Sequence, residues 1–173
     1  MGRIRVLLAD DHVVLRTGLR MLINAQPDME VVAEASNGED AARLAREVRP
    51  DIVLMDITMP GAGGIEATVR IRRESPAVRV LALTMHDDPA YLRSILAAGA
   101  AGYVVKRAAS AELLSAIRTT YRGETYLAPS LAGDMVQEVL GRKPRKGNAQ
   151  VPGDRLSERE REVLRLVAQG HTN

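Results

Sequence analysis

The sequence predicts a doubly wound α/β fold on a five-stranded parallel sheet, followed by a smaller helical portion. Two observations carry this expectation. Short apolar runs alternate five times with longer stretches of helical period, which is the pattern of repeated strand–helix units. Runs such as Val6-Leu7-Leu8-Ala9 are apolar at successive positions, as strands buried on both faces must be.

Taken in order, strands are expected over 5–9, 31–35, 51–55, 79–83 and 102–105, with helices between and after them over 13–25, 38–48, 64–74, 89–98 and 110–121. In the last helix Leu113, Leu114, Ile117 and Tyr121 share one face, and Ser110 is placed to cap its N-terminus. The pattern changes after Arg122. One helix is expected over 130–140, and then Arg142, Lys143, Arg145 and Lys146 crowd around Pro144 between Gly141 and Gly147, which reads as a solvated linker. A final helix opens at Leu156-Ser157-Glu158-Arg159-Glu160, where Ser157 and Glu160 form a capping box and Val163, Leu164, Leu166 and Val167 supply an apolar face. The expected domains are therefore 1–122, a linker over 123–154 with one helix, and 155–173.

Composition narrows the function classes. The 173 residues carry 24 Lys+Arg against 22 Asp+Glu, a net charge of +2, so bulk charge dictates no polyanionic or polycationic partner. Cysteine is absent, which removes disulfide frameworks, thiolate metal sites and a cysteine nucleophile, and fits a reducing cytoplasm. Phe and Trp are absent too, so the core must be aliphatic and aromatic base-stacking platforms are not expected. No apolar run approaches the ~20 residues that span a bilayer, and the N-terminus leads into a strand instead of a signal-peptide apolar region. A soluble cytoplasmic protein is expected.

In a doubly wound sheet the ligand site lies beyond the carboxyl ends of the strands. There the sequence places Asp10 and Asp11 after the first strand, Asp56 after the third, Thr84 after the fourth and Lys106 after the fifth. Taken singly, each has an ordinary reading. Asp10-Asp11 can cap a helix, Asp56 can serve the turn before Met59-Pro60-Gly61, Thr84 can be an ordinary strand-end residue, and Lys106 can be a solvated charge. The loop Gly61-Ala62-Gly63-Gly64 lacks the Lys-Ser/Thr of a phosphate-binding P-loop, and His12, His86 and His171 are read as caps and surface contacts, not as a metal set. Together, however, three close carboxylates need a cation, for which Mg²⁺ is the expected ion, and a carboxylate beside a metal and an ammonium can attack phosphorus. Thr84 and Lys106 would each then hold a phosphoryl oxygen.

At these residues the chain resembles bacterial two-component response regulators of the NarL/FixJ subfamily. The motifs are Val6-Leu7-Leu8-Ala9-Asp10-Asp11-His12, the run from Asp51 through Asp56-Ile57-Thr58-Met59-Pro60, Leu83-Thr84 and Gly102-Tyr103-Val104-Val105-Lys106. The resemblance implies a flavodoxin-like, CheY-like receiver with strand order 2-1-3-4-5. It makes Asp56 the phosphoacceptor, Asp10 and Asp11 the acidic pair at Mg²⁺, and Thr58 a metal ligand through its backbone carbonyl. Thr84 and Tyr103 become a switch pair, Tyr103 otherwise reading as a half-buried aromatic at the sheet edge. Gly63 and Arg107 depart from the family pattern without touching this chemistry.

Residues 156–173 resemble the opening of a LuxR-type helix-turn-helix domain, with the recognition helix absent, so specific DNA binding by this chain alone is not expected. The implied function is a transcriptional regulator, not an enzyme acting on a substrate. A sensor histidine kinase phosphorylates it on Asp56, it forms a homodimer on phosphorylation, and no membrane is involved. The alternatives are a phosphorylation-independent regulator and a metal-dependent phosphatase or phosphotransferase. Against the latter, Thr58 stands where such enzymes usually carry a general acid.

Overall fold

Strands and helices alternate along the chain as β1 (Ile4–Ala9), α1 (Val13–Asn24), β2 (Met29–Ala35), α2 (Gly38–Val48), β3 (Ile52–Asp56), α3 (Gly64–Glu74), β4 (Arg79–Thr84), α4 (Pro89–Ala97), β5 (Gly102–Val105) and α5 (Ser110–Tyr121), and a two-residue strand β6 (Tyr126–Leu127) follows. The computed structural model describes residues 2–85, 89–108, 110–129 and 133. Apart from residue 133, the helix expected over 130–140 lies outside the described residues, as do the basic linker, the segment from 155 onward, His86 and His171. Ser110, expected to cap α5, is the first residue of that helix.

All neighbouring strands pair in parallel, in the order β2-β1-β3-β4-β5-β6. Alternation within each strand divides the core between two faces. Val6 and Leu8 of β1, with Leu54, Leu81 and Val104, meet Leu19 and Ile23 of α1 and Leu113 and Ile117 of α5. Leu7 and Ala9, with Val53 and Met55, meet the alanines of α2 and Ile71 of α3. Farther along that second face, Ile57, Ile65, Leu92 and Ile95 surround Tyr103. Successive strands are added on one side of β1 for β2 and on the other side from β3 onward, so the crevice of this sheet opens past Ala9 and Asp56, where the order switches.

The sheet has six strands and not the expected five. The additional strand lies inside the 123–154 segment that the sequence assigned to a linker. Two residues are too short to show a period of 2, which hides such a strand from pattern reading. Its place is made by Gly102: the Tyr126 carbonyl oxygen lies 2.8 Å from where a Cβ on residue 102 would stand. The Tyr126 amide donates to the Ala101 carbonyl (3.2 Å), its hydroxyl donates to the Glu112 carboxylate (3.1 Å), and Leu127 pairs with Tyr103.

Gly102→Ala is therefore expected to lower the unfolding free energy by about 1–3 kcal/mol through overpacking, and to release the Tyr126 amide to hydrogen exchange. Denaturation in urea followed by circular dichroism, with exchange read at that amide, checks this. A variant with native stability and a still-protected Tyr126 contradicts the account of the strand.

Candidate functional site

Register sets the site. Ala9 pairs with Met55, Asp56 with Leu83, and Thr84 with Val105, so Asp10 and Asp56 stand level at the crevice. Thr84 sits one residue step farther along, and Lys106 one step beyond Thr84. Backbone bonds fix the ends: the Asp10 amide donates to the Ala35 carbonyl (3.1 Å), and the Lys106 amide to the Thr84 carbonyl (2.7 Å). Behind Asp56, helix α3 begins at Gly64, where any Cβ would collide with the Asp56 carbonyl oxygen.

The Lys106 ammonium reaches back down this staircase to lie 2.7 Å from Asp10 Oδ2 and 2.8 Å from Asp56 Oδ2, with the three side chains 3%, 1% and 0% exposed. Burial by itself would pull the lysine pKa down. The hydrogen bonds and charges of Asp10 and Asp56 outweigh it and hold the ammonium above its ordinary value. The second oxygen of Asp56, Oδ1, accepts from both the amide and the hydroxyl of Thr58, at 3.0 Å each. Asp11 is close by, and its buried Oδ1 accepts no hydrogen bond.

Three carboxylates against one ammonium leave the pocket in charge deficit, and one ligand atom each from Asp10, Asp11, His12 and Asp56 all lie within 4.8 Å of one another. Oxygen donors in this number, one of them buried and unsatisfied, fit a hard divalent cation.

The model of the response regulator receiver domain matches residues 6–118. The oxygen regulatory protein NreC of Staphylococcus aureus is 44% identical over 171 residues, covering 98% of this chain and 79% of that protein. Among solved structures, a LuxR-family response regulator from an Aurantimonas species is similar with a TM-score of 0.77 at 44% identity, over 80% of this chain and 99% of the other. The RcsB response regulator of Salmonella typhimurium is similar with a TM-score of 0.75 at 28% identity, over 98% of this chain and 79% of the other. The chain belongs to the NarL/LuxR family of two-component response regulators.

As a response regulator it is the responding half of a two-component system and acts on transcription, and its family partners are a histidine kinase and DNA. No helix among the described residues is long and apolar enough to cross a membrane.

Of the residues the sequence singled out in this regulator, Asp10, Asp11, Asp56, Thr58 and Lys106 come together. Thr84, 1% exposed, ends β4 beside them. Tyr103 is fully buried, the largest such side chain in the core, and not the half-buried edge aromatic of the ordinary reading.

Three contributions escaped the sequence. The Thr58 hydroxyl holds Asp56, whereas only its backbone carbonyl was expected to matter. Arg16 donates from Nη1 to the Asp10 carbonyl (2.5 Å) and from Nε to Glu34 (3.0 Å), tying the loop between β1 and α1 to β2. His12 occupies the N-cap position of α1 but makes no side-chain cap bond, and its ring turns to the carboxylates instead. Helical spacing puts Arg16 one turn beyond His12, a cue that was present in the sequence.

Replacing Lys106 with Met leaves two buried carboxylates uncompensated and is expected to cost about 3 kcal/mol of stability in chelator, with part recovered in millimolar Mg²⁺. Folding raises the lysine pKa, so the ammonium's contribution is fully present below the unfolded value of about 10.4 and is lost as pH rises through the higher folded value. The stability gap between wild type and Lys106→Met, measured by urea denaturation, should thus stay level from neutral pH to about 10.4 and narrow only above it. A gap that closes below that pH contradicts the assignment.

Proposed function

We propose that Asp56 is the phosphoacceptor of this regulator. The observation that carries the reading is the Lys106 ammonium, buried and bound at once to Asp56 and Asp10. A carboxylate oxygen of Asp56 attacks phosphorus, the P–N bond of the kinase's phosphohistidine breaks, and the electron pair leaves with the imidazole, giving an aspartyl phosphate. Lys106 turns from the Asp56 carboxylate to an oxygen of the new phosphoryl group, and its raised pKa keeps it charged for that task. Thr58 holds Oδ1 of Asp56 in a fixed orientation throughout.

Asp10, Asp11 and Asp56, with the Thr58 carbonyl, are the groups that would hold a divalent ion, Mg²⁺ in the first instance. When bound, it supplies positive charge against the incoming phosphoryl oxygens. Hydrolysis of the acyl phosphate resets the protein, so the chemistry serves regulation and not turnover of an external substrate.

Thr84 and Tyr103 form the switch: the hydroxyl engages the phosphoryl group, and the inward tyrosine is stabilised in one of two populated arrangements. Homodimerisation follows, and the protein works in the cytoplasm. The receiver corresponds to 1–122, its sheet extended by β6, and residues 155–173 open a LuxR-type helix-turn-helix through which DNA is reached.

Incubation with acetyl phosphate and Mg²⁺ is expected to add one phosphoryl group by intact-protein mass, absent in Asp56→Asn and absent in chelator. No adduct on the native chain would turn the reading to a phosphorylation-independent regulator. For the switch, Thr84→Ala is expected to keep the adduct and lose the phosphorylation-dependent dimer seen by light scattering. Dimerisation of the phosphorylated variant at native strength removes Thr84 from the relay.

A further inference from the structure

We infer that Arg16 is a positioning residue: by holding the Asp10 carbonyl it fixes where the Asp11 carboxylate stands, and so sets the affinity of the acidic pocket for a divalent ion. The inference rests on reading the pocket as a divalent-ion site and goes beyond it by assigning a residue that touches neither ion nor phosphoryl group.

Asp10 is held at its amide, its side chain and its carbonyl. The amide donates to Ala35 (3.1 Å), the carboxylate meets the His12 amide (2.8 Å) and the Lys106 ammonium (2.7 Å), and the carbonyl accepts from Nη1 of Arg16 (2.5 Å). Asp11 differs, because its buried Oδ1 accepts no hydrogen bond. The place of that carboxylate therefore follows from the plane of the peptide before it, and the guanidinium of Arg16 bonds the carbonyl of that peptide.

Helix geometry brings Arg16 to this point. Its own amide closes the first turn of α1 on the His12 carbonyl (2.9 Å), and helical side chains lean toward the helix N-terminus, which carries the guanidinium back to the loop. There the side chain is 17% exposed and is anchored from the other direction by Glu34 of β2, with Nε donating to Oε2 (3.0 Å). Two bonds from one planar group define an orientation as well as a distance.

A plain tie between α1 and β2 does not account for the arrangement. Arg20, one turn farther on, bonds the other oxygen of Glu34 (2.9 Å) and makes that tie without reaching the loop. Helix electrostatics also disfavour a cation in the first turn, where the backbone presents unpaired N–H groups, and α1 has no acidic residue there to offset it.

The sign of the effect separates geometry from charge. A cation beside a cation site weakens binding by Coulomb repulsion. Charge alone thus predicts that Arg16→Met binds a divalent ion more tightly than wild type, and positioning predicts the reverse.

Mg²⁺ is to be titrated calorimetrically into the full unphosphorylated chain at fixed ionic strength, for wild type, Arg16→Met and Arg20→Met, with circular dichroism verifying that each is folded. The Kd for Mg²⁺ is expected to rise at least about tenfold in Arg16→Met and to stay within about twofold in Arg20→Met, which loses the same charge and the same Glu34 partner. If Arg16→Met does not fold, Arg16→Lys takes its place: it keeps the charge without the planar fork, and a rise of at least about threefold is expected. An affinity that is unchanged or tighter in the Arg16 variant, or an equal loss in Arg20→Met, overturns the role of Arg16 and leaves the metal pocket standing. Wild-type protein that binds no Mg²⁺ overturns both.

Discussion

Lys106 and Asp56 are 50 residues apart in the chain, and the ammonium of one lies 2.8 Å from the carboxylate of the other, with both side chains buried. Burying charges in this way gains little net stability, because desolvation cancels most of the attraction. Its value here is geometric. The contact forms only if β1, β3, β4 and β5 hold their register, and a slip of one residue would send each side chain to the other face. The parallel sheet and its two helical layers are what keep the register, and the ion pair is where that constraint is converted into chemistry.

The pocket is satisfied unevenly. Both oxygens of Asp56 are engaged, by Lys106 and by Thr58, and Asp10 is bonded by Lys106 and His12, whereas Asp11 keeps a buried oxygen without a hydrogen bond. A carboxylate held at both ends is fixed in orientation and largely neutralised. Arg16 contributes from outside, fixing the Asp10 carbonyl and Glu34 together so that the loop between β1 and α1 does not yield to the repulsion of its own acids.

The sheet also links the site to the chain that leaves it. Tyr103 is buried among Ile57, Ile65, Ile95 and the start of the following segment, and its backbone neighbour across the sheet is Leu127. Ile57 directly follows Asp56, so one packed cluster touches the acidic residue at one end and β6 at the other. An aromatic of this volume cannot move without its neighbours giving way, which makes the cluster a natural place for two discrete packings.

The sequence by itself determined the strand–helix alternation, because strand and helix periods are local properties of the chain, and all five expected strands and all five expected helices begin and end within two residues of where periodicity placed them. It also determined which residues reach the crevice, since Asp10, Asp56, Thr84 and Lys106 each mark the end of an apolar run. Tertiary structure alone decided the rest. The β6 strand exists because Gly102 leaves room beside it, and two residues have no period to read. Tyr103 is fully buried because β6 and α4 cover its edge of the sheet. His12 reads as a cap until the carboxylates are brought beside it, and the tie that Arg16 makes to Glu34 forms only when β2 lies next to β1, a proximity across the fold that spacing along a chain does not carry.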